Sequence, residues 1–148
     1  MVSYSPEENL LAAGSHDNTI YVYDVKKDYS LRCKLVAHSS YIMCLDWSLD
    51  QTFIRSNCGA YELLFFSIPS QETKRNVSND GYGASNTKDL QWNTQRCKFG
   101  WHVQGIYPPG VDGTHVNGVD TDFESKVMVT GDDFGMLNVY NYPCMEEN

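Results

Sequence analysis

Four histidines and five cysteines are the side chains of this sequence best suited to metal or nucleophilic chemistry, and their spacing is the first test of whether they perform any. Cys33, Cys44, Cys58, Cys97 and Cys144 form no CxxC pair, which excludes zinc-ribbon and thioredoxin-like arrangements. Their number is odd, and three of the five lie in apolar, strand-like runs where a free thiol behaves as a small hydrophobe. A reducing intracellular compartment is the natural reading. His102 and His115 stand 13 apart with no zinc-type spacing around them. Asp112, Asp120 and Asp122 lack the alternating acids, glycine and closing glutamate of a calcium loop, and Asp112-Gly113 reads as a turn. Gly81-Tyr82-Gly83 opens like a dinucleotide fingerprint, but Asn86 holds its sixth position and no strand–helix pair flanks it. There is no GxxxxGK phosphate loop and no Gly-x-Ser-x-Gly elbow. His38 has no nucleophile motif near it, so a strand-tying role is favoured over that of a general base; His16 reads as an exposed corner residue. The chemistry these residues support is therefore hydrogen bonding, with no catalytic, cofactor-binding or metal-ligating set expected.

The elements that hold such residues must come from a chain of 148 residues, which is enough for a sizeable core and too short for a multidomain enzyme. Hydrophobic residues make up 41% and charged residues 20%, too apolar for a disordered chain, and the 13% aromatics, with ten tyrosines, lean toward β-structure. The net charge of -8 argues against nucleic acid, whose phosphates need a cationic footprint. Lys26-Lys27 and Lys74-Arg75 are isolated pairs that read as solvated surface. No stretch approaches the roughly 18 consecutive apolar residues of a membrane span, and 1–10 carries no secretory signal pattern. Without one, the glycosylation-type triplet Asn76-Val77-Ser78 is a chance match.

Sliding the chain against itself by 43 residues places Ser5 on Ser48, Leu10 on Phe53, Leu11 on Ile54, Ile20 on Leu63, Tyr23 on Phe66 and Val25 on Ile68. Each copy has the same grammar: a short apolar run ending in Tyr-Ser or Trp-Ser, a polar turn, a second run (10–14 or 53–57), a tight corner, and a third run (20–25 or 63–68). Such runs, rich in Tyr, Val, Ile and Phe between turn residues, predict antiparallel strands. Tyr21, Tyr23, Phe65 and Phe66 alternate along them, which favours a core face and a face packed on a neighbouring sheet over a ligand-binding aromatic box. A third copy comprises strands at 126–130 and 136–140 around a 131–135 corner. It follows a longer gap whose first part, 71–88, holds no large apolar residue except Val77 and Tyr82 and reads as a flexible insertion. A period of about 40–45 residues with four short strands is the pattern of propeller blades.

The finer residues carry a resemblance. Ser15 to Asp24 is similar to the ending of a WD repeat, with Tyr23 in the tryptophan's place, and His38 stands where that family has its Gly-His pair. The strings His38-Ser39-Ser40-Tyr41-Ile42, Leu45-Asp46-Trp47-Ser48, Glu62-Leu63-Leu64 and Lys88-Asp89-Leu90-Gln91-Trp92-Asn93-Thr94 resemble the echinoderm microtubule-associated protein-like family. So do Cys97, Gly100, Val103, Gly105-Ile106-Tyr107-Pro108, Asp112-Gly113-Thr114, Gly131-Asp132-Asp133-Phe134-Gly135 and Tyr142-Pro143-Cys144. The resemblance covers nearly the whole chain apart from about 71–87. It implies tandem propellers, one of them atypical, association with microtubules and tubulin, and an attachment supplied in the family by a basic, self-associating amino-terminal region. In WD repeats a histidine, a strand hydroxyl, a turn aspartate and an aromatic tie strands through buried hydrogen bonds. The candidate tying residues here are Asp17, His38, Asp133, Tyr23, Phe66 and Tyr140. The pattern departs from the family at Ala60, which replaces a turn aspartate, at Phe66-Ser67 and Tyr140-Asn141, which replace Trp-Asp, and at an extra corner residue that displaces Asp133. No repeat is therefore expected to complete the hydrogen-bonded set, and Asp17 is expected to hold its corner through buried bonds.

The expectation is an all-β fold: a partial WD-repeat β-propeller of about three antiparallel blades, too few to close alone, and so a piece of a larger propeller or a short isoform. Its parts are a first blade at 1–36, three strands of a second at 37–69, the insertion at 70–88, an outer strand and connection at 89–110 (the strand within 90–107), and a third blade at 111–148. Unpaired strands at both ends would favour self-association. The inner-strand residues Val2, Tyr4, Ile42, Cys44, Val116 and Val119 are mostly apolar, which argues against an enzyme. The expected function is a non-catalytic protein-interaction module of a cytoplasmic, cytoskeletal microtubule-associated protein, with tubulin, microtubules or other proteins as partners and neither nucleic acid nor membrane. A generic WD-repeat adaptor in another assembly is the alternative.

Overall fold

A computed structural model describes residues 1–70, 76–77, 87–107, 110 and 115–146. The chain forms two compact units, Met1–Asn93 and Thr94–Asn148, and among the described residues its elements are β-strands and two short 3₁₀ turns. The first unit holds β1 (Val2–Tyr4), β2 (Leu10–Gly14), β3 (Thr19–Asp24), β4 (Ser30–Val36), β5 (Ile42–Trp47), β6 (Phe53–Cys58), β7 (Leu63–Ser67) and β8 (Asn76–Val77). The second holds β9 (Val116–Asp122), β10 (Val127–Asp132) and β11 (Leu137–Asn141). They build three separate sheets, β1-β2-β3-β4-β8, β5-β6-β7 and β9-β10-β11, antiparallel throughout except where β8 joins β4 in parallel. None closes on itself, as a partial propeller requires.

The 43-residue repeat has a backbone signature. Glu8 and Gln51, in the first corners of the two copies, both take left-handed φ values of 56° and 61°. Asn18 and Tyr61, in the second corners, take 67° and 63°. The corner serines are equivalent too: Ser5 Oγ accepts from the Leu10 amide at 3.1 Å and Ser48 Oγ from the Phe53 amide at 2.9 Å. A hydroxyl that satisfies the first amide of the next strand fixes where that strand begins.

The first two sheets share one core. Leu10, Ala12, Ile20, Val22, Cys33 and Leu35 of the first pack with Ile42, Leu45, Trp47, Ile54 and Phe66 of the second. Within β2, β3 and β4 these side chains are two apart, so the period of two sends one apolar row inward; in β5 a register shift between Ile42 and Cys44 moves the row to Leu45 and Trp47. The Trp47 indole N–H donates across to the Ser3 carbonyl at 3.2 Å, and the Ile42 amide to the Ser15 carbonyl at 3.1 Å. The contact needs Gly14, since a Cβ there would lie 2.6 Å from Ile42 Cγ2. Arg32 on β4 donates from Nε (3.0 Å) and from Nη2 (2.7 Å) to the Pro69 carbonyl, and from Nη2 to the Ser70 carbonyl as well.

Residues 90–107 contain no strand, which corrects the expected outer strand of the second blade. Gly100, at φ 142°, ends any extended run, and Trp101–Ile106 winds into a 3₁₀ turn. That turn places Val103 and Ile106, three apart, on one side, where they are buried with Val116, Val119, Met128 and Cys144. Trp92 forms an isolated antiparallel bridge with Ser48, just past the end of β5. Asn76 and Val77, inside the expected insertion, instead pair with Lys34 and Leu35 on the first sheet; 71–75 and 78–86, like the Asp112-Gly113 turn, lie outside the described residues.

Under Trp92 lies a buried ion pair. Asp46 and Arg55 face each other across β5 and β6, with Arg55 Nε donating to Asp46 Oδ2 at 3.0 Å and the guanidinium 4.4 Å from the Trp92 ring centroid. Neither side chain exposes more than 4% of its surface. Removing one partner of such a pair strands the other charge, at a cost of roughly 3–5 kcal/mol, whereas replacing both by apolar groups is far cheaper. Asp46→Ala is therefore expected to lose most of that stability in urea denaturation, and Asp46→Leu/Arg55→Met to lose much less than the single change. Equal or additive losses would contradict the pairing.

Candidate functional site

A dense group of polar side chains gathers where the 37–41 connection meets the β6–β7 corner. His38 is buried, its Nε2 2.7 Å from Ser56 Oγ on β6 and its Nδ1 3.2 Å from Glu62 Oε2 at the head of β7. The Phe66 ring lies 5.9 Å from the imidazole, centroid to centroid. The same Glu62 oxygen accepts from the Ser39 amide at 3.0 Å and the Cys58 thiol at 3.0 Å, and Glu62 Oε1 accepts from Ser39 Oγ at 2.7 Å. The Ala60 amide donates to Cys58 Sγ at 3.4 Å. With Nδ1–H donating to Glu62, Nε2 accepts from the Ser56 hydroxyl, and a neutral imidazole satisfies both contacts.

The corner thus supplies a histidine, a strand hydroxyl and a carboxylate, while Phe66, standing where WD repeats have tryptophan, carries no N–H to donate. Ala60 does lack the aspartate, but Glu62, two residues on and one methylene longer, reaches His38 in its place. Motif reading missed it because the carboxylate is sought at one position of the corner. Tyr61, which precedes Glu62, takes a φ of 63°, the positive φ that marks this corner in both copies.

The other candidates are more dispersed. Asp17 is exposed, which corrects the expectation of buried bonds: its carboxylate accepts from the Thr19 amide at 3.1 Å and the Tyr21 hydroxyl at 2.6 Å. The corner is tied locally, across one strand start, with no histidine. Tyr23 is half-buried in β3 opposite Leu11. Asp133 is exposed and accepts from Asn117 Nδ2 at 2.7 Å, while its neighbour Asp132 caps the corner by accepting from the Phe134 and Met136 amides at 3.0 and 2.9 Å. The β10–β11 register is regular up to Gly131–Leu137, and the register shift at Gly131/Asp132 lies in the pairing with β9, where Asn117 is the extra residue. Tyr140 is half-buried against the second unit's core. His16 is exposed and stacks on Tyr41.

Repeating antiparallel sheets, with a buried histidine tied to a strand hydroxyl and a corner carboxylate, define a WD-repeat β-propeller segment. Over residues 1–148 the sequence matches the family described as echinoderm microtubule-associated protein second beta-propeller, and the chain belongs to that family. It is 48% identical over 143 residues to the ciliary WD repeat-containing protein ctxp80 of Euplotoides octocarinatus, covering 97% of this chain and 19% of that protein. Against echinoderm microtubule-associated protein-like 1 of Homo sapiens it is 43% identical over 149 residues, 99% of this chain and 17% of the relative. Against the 77 kDa echinoderm microtubule-associated protein of Lytechinus variegatus it is 40% identical over 146 residues, 97% and 21%. The chain thus spans about a fifth of the length of these relatives.

The corner sets a pH dependence. Burial pushes His38 below its ordinary 6.5, outweighing the opposing pull of Glu62. The Ser39 amide, then Cys58 and the Ser39 hydroxyl, hold Glu62 down at about 2 against an ordinary 4.5. In both cases the unfolded chain takes up its proton at higher pH, so stability present at neutral pH is lost on acidification. The His38 contribution falls away below pH 6.5 and the Glu62 contribution between 4.5 and about 2. Melting temperature is expected to drop in both windows, with Glu62→Gln flattening the lower window and His38→Ala the upper. A melting temperature constant from pH 7 to 5 in the parent chain would contradict the buried neutral imidazole.

Proposed function

We propose that this chain is a non-catalytic protein-interaction module of a cytoplasmic, microtubule-associated WD-repeat protein, presenting propeller corners and sheet faces to tubulin or microtubule-linked partners. The observation that carries this reading is the match along all of residues 1–148 to a family of microtubule-associated proteins. The site chemistry supports it. His38, the one deeply buried histidine of the corner, is engaged on both ring nitrogens, and the Asp46 carboxylate is engaged by Arg55. Groups held in this way stiffen a scaffold, and recognition then depends on surface complementarity. The tying roles of Asp17, His38, Asp133, Tyr23, Phe66 and Tyr140 belong to this proposal. Among the described residues no helix is long and apolar enough to cross a membrane.

Charge shapes the expected behaviour. The net charge is -8, and Glu7, Glu8, Asp28, Asp50, Asp120 and Glu124 are exposed. Microtubules carry acidic tubulin tails, so the long-range field opposes encounter, and salt weakens that opposition. Cosedimentation with polymerised tubulin is expected to show weak pelleting of the 148-residue chain, unchanged or increased as ionic strength rises. Micromolar pelleting abolished by salt would contradict the charge argument. A longer natural chain containing these residues that stays wholly in the supernatant, and does not bind tubulin dimer, would overturn the tubulin reading in favour of a generic adaptor.

A further inference from the structure

Beyond the scaffold role, we infer that the β6–β7 corner is a binding site for a zinc-type divalent cation, with His38, Cys58 and Glu62 as its three protein ligands. One donor atom from each lies within 4.8 Å of the others. Two of the separations, 3.2 Å from His38 Nδ1 to Glu62 Oε2 and 3.0 Å from Cys58 Sγ to Glu62 Oε2, are already close to a metal's requirement. Tetrahedral bonds of about 2.0 Å to N and O and about 2.3 Å to S hold such ligands some 3.3–3.6 Å apart. The His38 and Cys58 donors, within 4.8 Å of each other, must close toward that spacing as the carboxylate opens to admit the ion.

Each ligand also has a supporting partner of the kind metal sites use. Ser56 Oγ sits 2.7 Å from His38 Nε2, so an Nε2–H donating to it leaves the Nδ1 lone pair aimed at the ion. The Ala60 amide points at Cys58 Sγ, where it supports a thiolate. Ser39 Oγ holds the outer oxygen of Glu62. His38 and Cys58 are buried, whereas the Glu62 side chain is 33% exposed. The access path and a fourth, water-filled ligand position therefore lie on the Glu62 side.

The charge balance closes. A divalent cation displaces the Cys58 proton to solvent and is bound by one thiolate, one carboxylate and one neutral imidazole, so the filled site is neutral, as a largely buried site requires. The soft sulfur and the nitrogen select zinc-type ions over magnesium or calcium. Ala60 contributes by what it lacks: a larger acidic side chain there would bring a third negative charge to the corner.

Co²⁺ titration of the 148-residue chain tests this directly, because a thiolate–cobalt charge-transfer band reports sulfur ligation. One equivalent is expected to produce the band, and Zn²⁺ to displace it. Cys58→Ser is expected to abolish the band and weaken Zn²⁺ binding at least about tenfold, and Glu62→Gln to weaken binding while sparing the band. Alkylation mapped by mass spectrometry on the parent chain guards against a misfolded variant: Zn²⁺ should protect Cys58 while leaving Cys33, Cys44, Cys97 and Cys144 unchanged. No band at millimolar Co²⁺, a band that survives in soluble Cys58→Ser, or equal protection of all five thiols would overturn the assignment.

Discussion

A small antiparallel sheet can bury a row of side chains only against something else, and in this chain that something is the next sheet. Ala12, Ile20, Val22 and Leu35 are fully buried only because Leu45, Trp47, Ile54 and Phe66 of the neighbouring repeat lie over them, and these too are almost wholly inaccessible. Fully burying one such aliphatic or aromatic side chain contributes about 1.5–3 kcal/mol, comparable to a substantial fraction of a domain's net stability. The other features of the first unit depend on this contact. Gly14 is small because Ile42 is pressed against it, and Trp47 reaches across to Ser3 because the sheets are close. The third sheet shows the same need from the other side. Its outward row, Val129, Leu137 and Val139, is 42%, 82% and 69% exposed. Stacked repeats of this kind derive much of their stability from nearest-neighbour interfaces.

The polar corner works on top of that packing. His38 bridges the connection into β5, the middle of β6 and the start of β7 through two hydrogen bonds, so it specifies how the second sheet's strands are arranged rather than supplying most of the energy. In low-dielectric surroundings such a network is favourable only when every member is satisfied. Glu62 achieves this by accepting from three donors on one oxygen. The replacement of the family's corner aspartate by Ala60 is thereby tolerated, and the same rearrangement brings a thiol into the group.

Much of the fold was legible because the repeat was. An offset of 43 residues aligned turn with turn, and the two-residue alternation within each run marked the inward rows; the strand edges fell within a residue or two of those read from pattern alone. The failures have specific causes. The apolar residues of 90–107 were read as a strand because apolar content does not encode direction; Gly100 and the three-residue spacing of Val103 and Ile106 were the signals for a turn. Asn76-Val77 pairs in parallel with β4 through main-chain bonds, which leave no mark on composition. At the site, His38 was identifiable from its Ala-His-Ser context and Phe66 from the repeat offset. Glu62, Ser56 and Cys58 were not, since their meeting is set by the corner's backbone and not by sequence spacing. Asp17 and Asp133 were placed in corners correctly, but no sequence pattern states that a corner is open to solvent.

Native-state hydrogen exchange resolved by residue tests the dependence of one sheet on the next most directly. If inter-sheet packing is the governing constraint, the amides of β2 and β3 and those of β5 and β6 will exchange with a single shared opening free energy. A truncating change in the shared core, Ile54→Ala, will then lower protection in the first sheet as much as in the second. Protection in β2 and β3 that stays unchanged while β5 and β6 open would show that the first sheet stands alone, and would contradict the account.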